Sequence, residues 1–348
     1  MKQSYIDILK NLKESNSTSQ SPNDRILLID GLNTFIRAFA VNPSTNEDGI
    51  HIGGMTGFLQ SIGYAIKNIK PTRVIVCFDG KGGSSKRRKL FPEYKANRKV
   101  RKRLTRLNSF SNQEDESISM KNQISRLTQY LDTLPITVIA PENIEADDAM
   151  AYISQQVYPK SHVYIMSTDK DFLQLVDDRL QVWSPTKKKY YFKDTVNEDF
   201  EIPAHNYLLY RTMKGDPSDN IPGIKGVGVK TLKKRLPILF EENKVTIEDL
   251  LDYVKNTDDT SKVIKEILDS EDIIRLNYEL MQLSEVDIPG NIKSYIIDAV
   301  RKPINRLVKY KFQKLMLEDK TYTAIKNPDM WLKTCFSHLE AMAVKSYE

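Results

Sequence analysis

Three short, almost unbroken apolar runs, each closing on an aspartate, constrain this chain most. Ile26-Leu27-Leu28-Ile29 ends on Asp30, Val74-Ile75-Val76-Cys77-Phe78 on Asp79, and Val163 to Thr168 on Asp169, with Asp171 two residues further on. Runs so short and so continuously apolar read as strands buried on both faces, the pattern of a parallel sheet flanked by helices. Amphipathic segments alternate with them, and residues 57–69, 120–134 and 145–157 are the better helix candidates. The expected fold class is α/β with a mostly parallel twisted sheet. In such sheets the functional crevice lies outside the carboxyl ends of the strands, so Asp30, Asp79 and Asp169 should converge there.

More acids occur where chain segments change direction. Glu145-Ala146-Asp147-Asp148 heads a helix candidate, and Asp216 and Asp219 sit in Gly215-Asp216-Pro217-Ser218-Asp219-Asn220. Taken singly, each has an ordinary explanation as a turn residue, an N-cap or an acidic first helical turn. Nine such acids near one another are costly to bury without compensation, and hard divalent cations such as Mg²⁺ prefer carboxylate and water oxygens. Two cations roughly 4 Å apart stabilise both the attacking and the leaving oxygen of an in-line phosphodiester displacement. The acids therefore point to a metal-dependent nuclease.

Charge distribution supplies the second half. From Lys81 to Arg106 twelve Lys or Arg face one acid, Glu93, so within a total of +6 the rest of the chain sums to −5. A basic run is ordinarily a solvated face, but this one starts directly after Asp79, at the rim of the expected crevice, and holds Tyr94, whose ring can stack on a base. Ser109 to Ser119, polar and acidic, reads as mobile. Val182 to Pro185 with Lys188 to Lys193 reads as an edge hairpin. Ile221 to Thr231 lacks both the P-loop lysine and dinucleotide-binding glycine spacing. Its glycines fit either a tight helical hairpin or a phosphate-binding loop, and Lys225, Lys230, Lys233, Lys234 and Arg235 favour a DNA backbone.

Other classes find little support. Cys77 and Cys335 make no disulfide framework or zinc spacing, and His51, His162, His205 and His338 are scattered. No apolar run reaches membrane-span length, and the N-terminus has no signal-peptide core, so the expected location is the cytoplasm. Length suggests two domains. Residues 1–24 read as an appendage, with a short helix over 3–13 and a polar linker. From Glu241 onward the chain reads as helical, with Leu276 to Met281 and Leu307 to Phe312 as core stripes of a small helical domain.

Seven stretches occur together in a familiar order: Leu28-Ile29-Asp30-Gly31-Leu32-Asn33, Phe78-Asp79-Gly80, the Arg87 to Arg98 block ending Tyr94-Lys95-Ala96-Asn97-Arg98, Glu145 to Asp148, Ser167-Thr168-Asp169-Lys170-Asp171-Phe172, Gly215 to Asn220, and Gly223-Ile224-Lys225-Gly226-Val227-Gly228. Over residues 25–240 the chain thus resembles the 5′ nuclease and flap endonuclease superfamily, most of all its phage ribonuclease H branch. The resemblance implies a PIN-like nuclease domain over 25–200 with a basic helical arch over about 81–125, then a helix-three-turn-helix and helical C-terminal domain over 201–348. It implies Asp30, Asp79, Glu145 and Asp147 around a first Mg²⁺ and Asp169, Asp171 and Asp219 around a second, with Asp148 and Asp216 in support and Mn²⁺ able to substitute. Lys95 and Arg98 would steer the scissile phosphate, Arg87 would assist, and Tyr94 would stack on the terminal base. Gly223, Lys225, Gly226, Gly228 and Lys230 would hold duplex DNA, with K⁺ at that hairpin.

The activity implied is 5′-3′ exonuclease and flap endonuclease action by a monomer on branched or nicked duplex DNA and RNA–DNA hybrid, removing RNA primers in a bacterial or phage-infected cell. A single-stranded-DNA-binding protein or a sliding clamp is the implied protein partner. A PIN-type single-strand ribonuclease and a non-catalytic junction binder are the rival classes.

Overall fold

The computed structural model describes residues 20–100, 105–106 and 110–347. The helix expected over 3–13 and the Arg101 to Arg103 part of the basic run lie outside the described residues.

Among the described residues the strands are six: β1 Arg25–Asp30, β2 Arg73–Cys77, β3 Thr137–Ile139, β4 His162–Met166, β5 Leu180–Ser184 and β6 Lys189–Tyr191. They make one sheet in the order β3-β2-β1-β4-β5-β6, parallel except for β6, which runs antiparallel to β5. The expected edge hairpin is β5–β6, paired Val182 with Tyr191 and Trp183 with Tyr190. Between β1 and β4 the strand order reverses, which opens a crevice at their carboxyl ends. In register, Ile29 lies beside both Val76 and Met166, so Asp30, Asp79 and the Ser167 to Asp171 turn leave the sheet at one edge.

Ile26, Leu27, Leu28 and Ile29 are fully buried because both faces of the sheet are covered. Ala149 and Met150 of helix Ala146–Tyr152 pack on one face, together with Leu250, Ile267 and Ile296 from the C-terminal half. On the other face lie Phe58 and Ile62 of helix Gly53–Ile69, Leu127 of helix Gln113–Leu131, and Phe312 and Phe336. The stripe Leu307 to Phe312 therefore joins the sheet's own core. Leu280 and Met281 instead cluster with Tyr94, Leu208 and Ile221 beside the crevice.

Helix boundaries differ instructively from the sequence reading. The helix expected from 120 starts at Gln113, so the second half of the segment read as mobile is its first two turns. Asn112 caps it by accepting from the Asp115 amide at 2.8 Å, and Glu114, Asp115 and Glu116 favour the positive end of its dipole. The helix expected over 145–157 is regular only to Tyr152 and finishes in a π-type turn over Ile153–Val157.

Candidate active site

Each strand-ending aspartate is fixed by a backbone amide. Asp30 caps helix Gly31–Val41, accepting from the Asn33 amide at 3.0 Å, while Ser167 Oγ donates to its other oxygen at 3.0 Å. Asp79 accepts from the Ala146 amide at 2.8 Å and so positions the helix that carries the Glu145 to Asp148 stretch. That approach needs glycine next in the chain, since a Cβ on Gly80 would lie 1.8 Å from the Pro141 carbonyl. Asp169 accepts from the Asp171 amide at 2.9 Å.

The carboxylates divide into a centre and two flanks. On one flank Arg87 forks onto Asp148 at 2.7 and 2.8 Å, reaches Glu145 at 2.9 Å and donates to the Leu280 carbonyl at 2.8 Å. Lys95 Nζ lies 2.6 Å from Glu145, and Arg98 pairs with Asp219. On the other flank Arg211 bridges Asp171 at 3.0 Å and Asp216 at 2.6 Å. Asp30, Asp147 and Asp169 make up the centre, and among the described residues none of them pairs with a cation. No group of three is already spaced as a metal cage among the described residues, the flanking acids being engaged by protein cations.

Electrostatics follow this division. Burial, with repulsion from Asp169 and Asp79, pushes the Asp30 carboxyl up to about 7. Asp147 is raised by burial and by Asp30 and Asp169, and Asp169 is raised by burial and by Asp219. Burial and Asp169 carry Asp171 to about 7 despite Arg211. Glu145 goes the other way: although burial opposes it, Lys95 and Arg87 hold its carboxyl below the usual range. Carboxylates gathered at one edge of the sheet and, among the described residues, outside any ion pair are the donor chemistry that hard divalent cations require.

The basic residues sit where expected, but occupied. Arg87 has its donors committed to Asp148, Glu145 and Leu280, and Tyr94 is 3% exposed, its hydroxyl donating to Glu145 at 3.0 Å. In this arrangement the Tyr94 ring lies under Lys95, 4.8 Å from its Nζ, and presents no face to a base. Lys95 takes a left-handed φ of 57° while its amide donates to the Asp219 carbonyl at 2.9 Å, so the chain at Lys95 is bound to the Gly215 to Asn220 loop. Gly223, Lys225, Gly226 and Gly228 lie in the connection from helix Tyr207–Lys214 to helix Val229–Arg235, and Lys230 is the second residue of the latter helix. Arg211 escaped the sequence reading, and Ser167 and Asn33 entered it only as motif members with no role given. A lone arginine in an amphipathic helix carries no motif, although Arg211 stands five residues before Asp216.

An acid-lined crevice at a switch point, under a rim of arginine and lysine, defines a nuclease of the α/β class. The chain belongs to the 5′-3′ exonuclease family, whose N-terminal resolvase-like domain matches residues 25–201. It is 29% identical over 221 residues to the 5′-3′ exonuclease of Bacillus subtilis (strain 168), covering 61% of this chain and 69% of that one. With the 5′-3′ exonuclease of Mycoplasmopsis pulmonis it shares 28% over 316 residues, 86% of this chain and 98% of the relative. Its fold is that of the bacteriophage T5 D15 flap endonuclease, solved as a pseudo-enzyme–product complex with DNA and metal ions: TM-score 0.60 at 20% identity, covering 87% of this chain and 99% of that one.

Proposed function

We propose that this chain is a divalent-cation-dependent 5′-3′ exonuclease and flap endonuclease that trims 5′ flaps and RNA primers from duplex DNA. The observation that carries the reading is the central trio Asp30, Asp147 and Asp169, close enough to raise one another's carboxyls and, among the described residues, in no ion pair. Asp30, Asp79, Glu145 and Asp147 would hold one Mg²⁺ and Asp169, Asp171 and Asp219 a second, with Asp148 and Asp216 holding the arginines behind them. When bound, such cations polarise phosphoryl oxygens and make water a nucleophile near neutral pH.

The chain's own residues supply the rest. Lys95 and Arg98 exchange Glu145 and Asp219 for non-bridging oxygens of the scissile phosphate and stabilise the charge that develops on them. Asp30, fixed by Asn33 and Ser167, and Asp169, fixed through the Asp171 amide, keep their geometry through the reaction. A water oxygen bonds to phosphorus as the bond to O3′ breaks, giving a 5′-phosphate and a 3′-hydroxyl. Backbone amides and lysines of the 223–230 connection hold phosphates of the duplex, a place that also suits K⁺, and the chain works alongside a single-stranded-DNA-binding protein or sliding clamp.

The test is cleavage in Mg²⁺ of a labelled 5′-flap duplex, a nicked RNA–DNA hybrid and single-stranded RNA, each with an EDTA control. Short 5′ products from the first two, absent with EDTA, are expected. Cutting of single-stranded RNA alone would replace this reading with a PIN-type ribonuclease.

A further inference from the structure

The carboxyl end of helix Glu271–Met281 reaches the acidic flanks, although the family's nuclease domain matches only residues 25–201. Asn277, Leu280 and Met281 fall on one face of that helix, at the three- and four-residue spacing of a helical stripe. The last carbonyls of a helix have no partner within it. Here two of them are taken by residues that also hold the acids. The Leu280 carbonyl accepts from Arg87 Nε at 2.8 Å, and the Met281 carbonyl accepts from Gln174 Nε2 at 3.0 Å.

Gln174 commits its whole amide to this junction. Its Nε2 also donates to the Asp171 carbonyl at 2.8 Å, and its Oε1 accepts from the Leu283 amide at 2.9 Å. The stretch Asp171–Leu175 is a single 3₁₀ turn, a geometry with weaker internal hydrogen bonds than an α-helix, and repulsion from Asp169 acts on the acid at its head. Arg211 restrains the Asp171 carboxylate, while Gln174 ties the backbone beneath it to the helix end.

The same helix face fixes the other acidic loop. Asn277, fully buried, donates from one nitrogen to the Thr212 carbonyl at 2.8 Å and to the Pro222 carbonyl at 2.7 Å. Those carbonyls stand on either side of the stretch that carries Asp216 and Asp219, so the stretch is closed against the helix. Both contacts need a donor, and Asn277 Oδ1 is left without a partner among the described residues, a cost that the two donor bonds outweigh.

We propose that Gln174 is a positioning residue of the crevice. Through the end of helix Glu271–Met281 it holds the 169–171 turn at a fixed spacing from the 216–219 loop, the spacing that a divalent cation shared by their acids requires. This role rests on the proposed function, since the cation is the one that Asp169, Asp171 and Asp219 would hold. It makes the C-terminal half of the chain part of the frame of that site.

Mn²⁺ binding to the full chain without DNA, followed by electron paramagnetic resonance, reads the site without any cleavage. Gln174→Met keeps the length of the side chain and removes its hydrogen bonds, and Gln174→Asn keeps the amide but shortens its reach. Each should weaken Mn²⁺ binding by about tenfold or more, as loss of the outer hydrogen bonds of a metal site does. Each should also raise the Mg²⁺ concentration for half-maximal flap cleavage by a similar factor, with the rate at saturating Mg²⁺ near the parent's. In EDTA the unfolding temperature of both should stay within about 4 °C of the parent's. Unchanged Mn²⁺ affinity and Mg²⁺ requirement in both variants would overturn the proposal. So would weakened binding that comes only with loss of the fold in both, which would make Gln174 a structural residue. A parent chain that neither binds Mn²⁺ nor cuts in Mg²⁺ would remove the nuclease reading and this one with it, whereas a parent that does both beside indifferent variants removes this one alone.

Discussion

Arg87 grips Asp148 with both arms of its guanidinium, at 2.7 and 2.8 Å, while its remaining donors reach Glu145 and the Leu280 carbonyl. It therefore ties the short helix Ser85–Leu90 to the acidic helix and to the C-terminal helices. Arg87→Ala leaves two buried carboxylates short of a partner and should cost about 3–5 kcal/mol in denaturant unfolding. Arg87→Lys, which cannot fork, should recover only part of it. A double-mutant cycle with Asp148→Ala measures the pair directly, and additive losses would show that the two residues do not couple.

Lys95 has a different fate. Under the proposed function its pairing with Glu145 is a resting contact and its work is on phosphate. Lys95→Ala should lower the cleavage rate of bound flap substrate about 10²-fold or more, as removal of a transition-state donor does, and leave DNA affinity in Ca²⁺ near the parent value. A loss confined to affinity would make it a docking residue instead.

The raised Asp30 and Asp171 carboxyls, each near 7, give a linkage with a definite sign. Without divalent cations the native state holds these protons more tightly than the unfolded chain, whose carboxylates titrate near 3.9. These groups therefore take stability away as pH rises from about 4 to about 7. A divalent cation opposes that loss, so the rise in unfolding temperature on adding Ca²⁺ should be larger at pH 8 than at pH 5.5. Equal shifts at the two pH values would contradict the coupling.

At the 223–230 connection two glycines should behave oppositely. A Cβ at Gly223 would lie 2.0 Å from the Lys214 carbonyl, whereas Gly228 has open space around it. Gly223→Ala should lower the unfolding temperature and duplex binding together, and Gly228→Ala should fold as the parent does. Similar melting of both variants would contradict this geometry.

The sheet and its acidic edge were legible because buried parallel strands write themselves as unbroken apolar runs and because Asp30, Asp79 and Asp169 end three of them. The cations that hold the flanking acids were not. Arg211 pairs with Asp171 and Asp216 across 40 and 5 residues, and nothing in a helical Arg marks such a reach. Tyr94 read as a stacking ring because it stands among cations, yet Glu145 and the Leu280 cluster draw it inward. The helix start at Gln113 was hidden because its first turns are polar and acidic, which satisfies a dipole but leaves no apolar stripe. Packing of Phe312 and Phe336 on the nuclease sheet is a tertiary choice that an amphipathic stripe does not reveal.

The most direct test of the central claim is single-turnover cleavage of a 5′-flap duplex in Mg²⁺ by the parent, Asp147→Ala and Asp169→Ala, with binding of the same duplex measured in Ca²⁺. The account predicts rapid release of 5′ products by the parent, none by either variant, and duplex binding largely intact in all three. Mg²⁺-dependent cutting retained by both variants would contradict it.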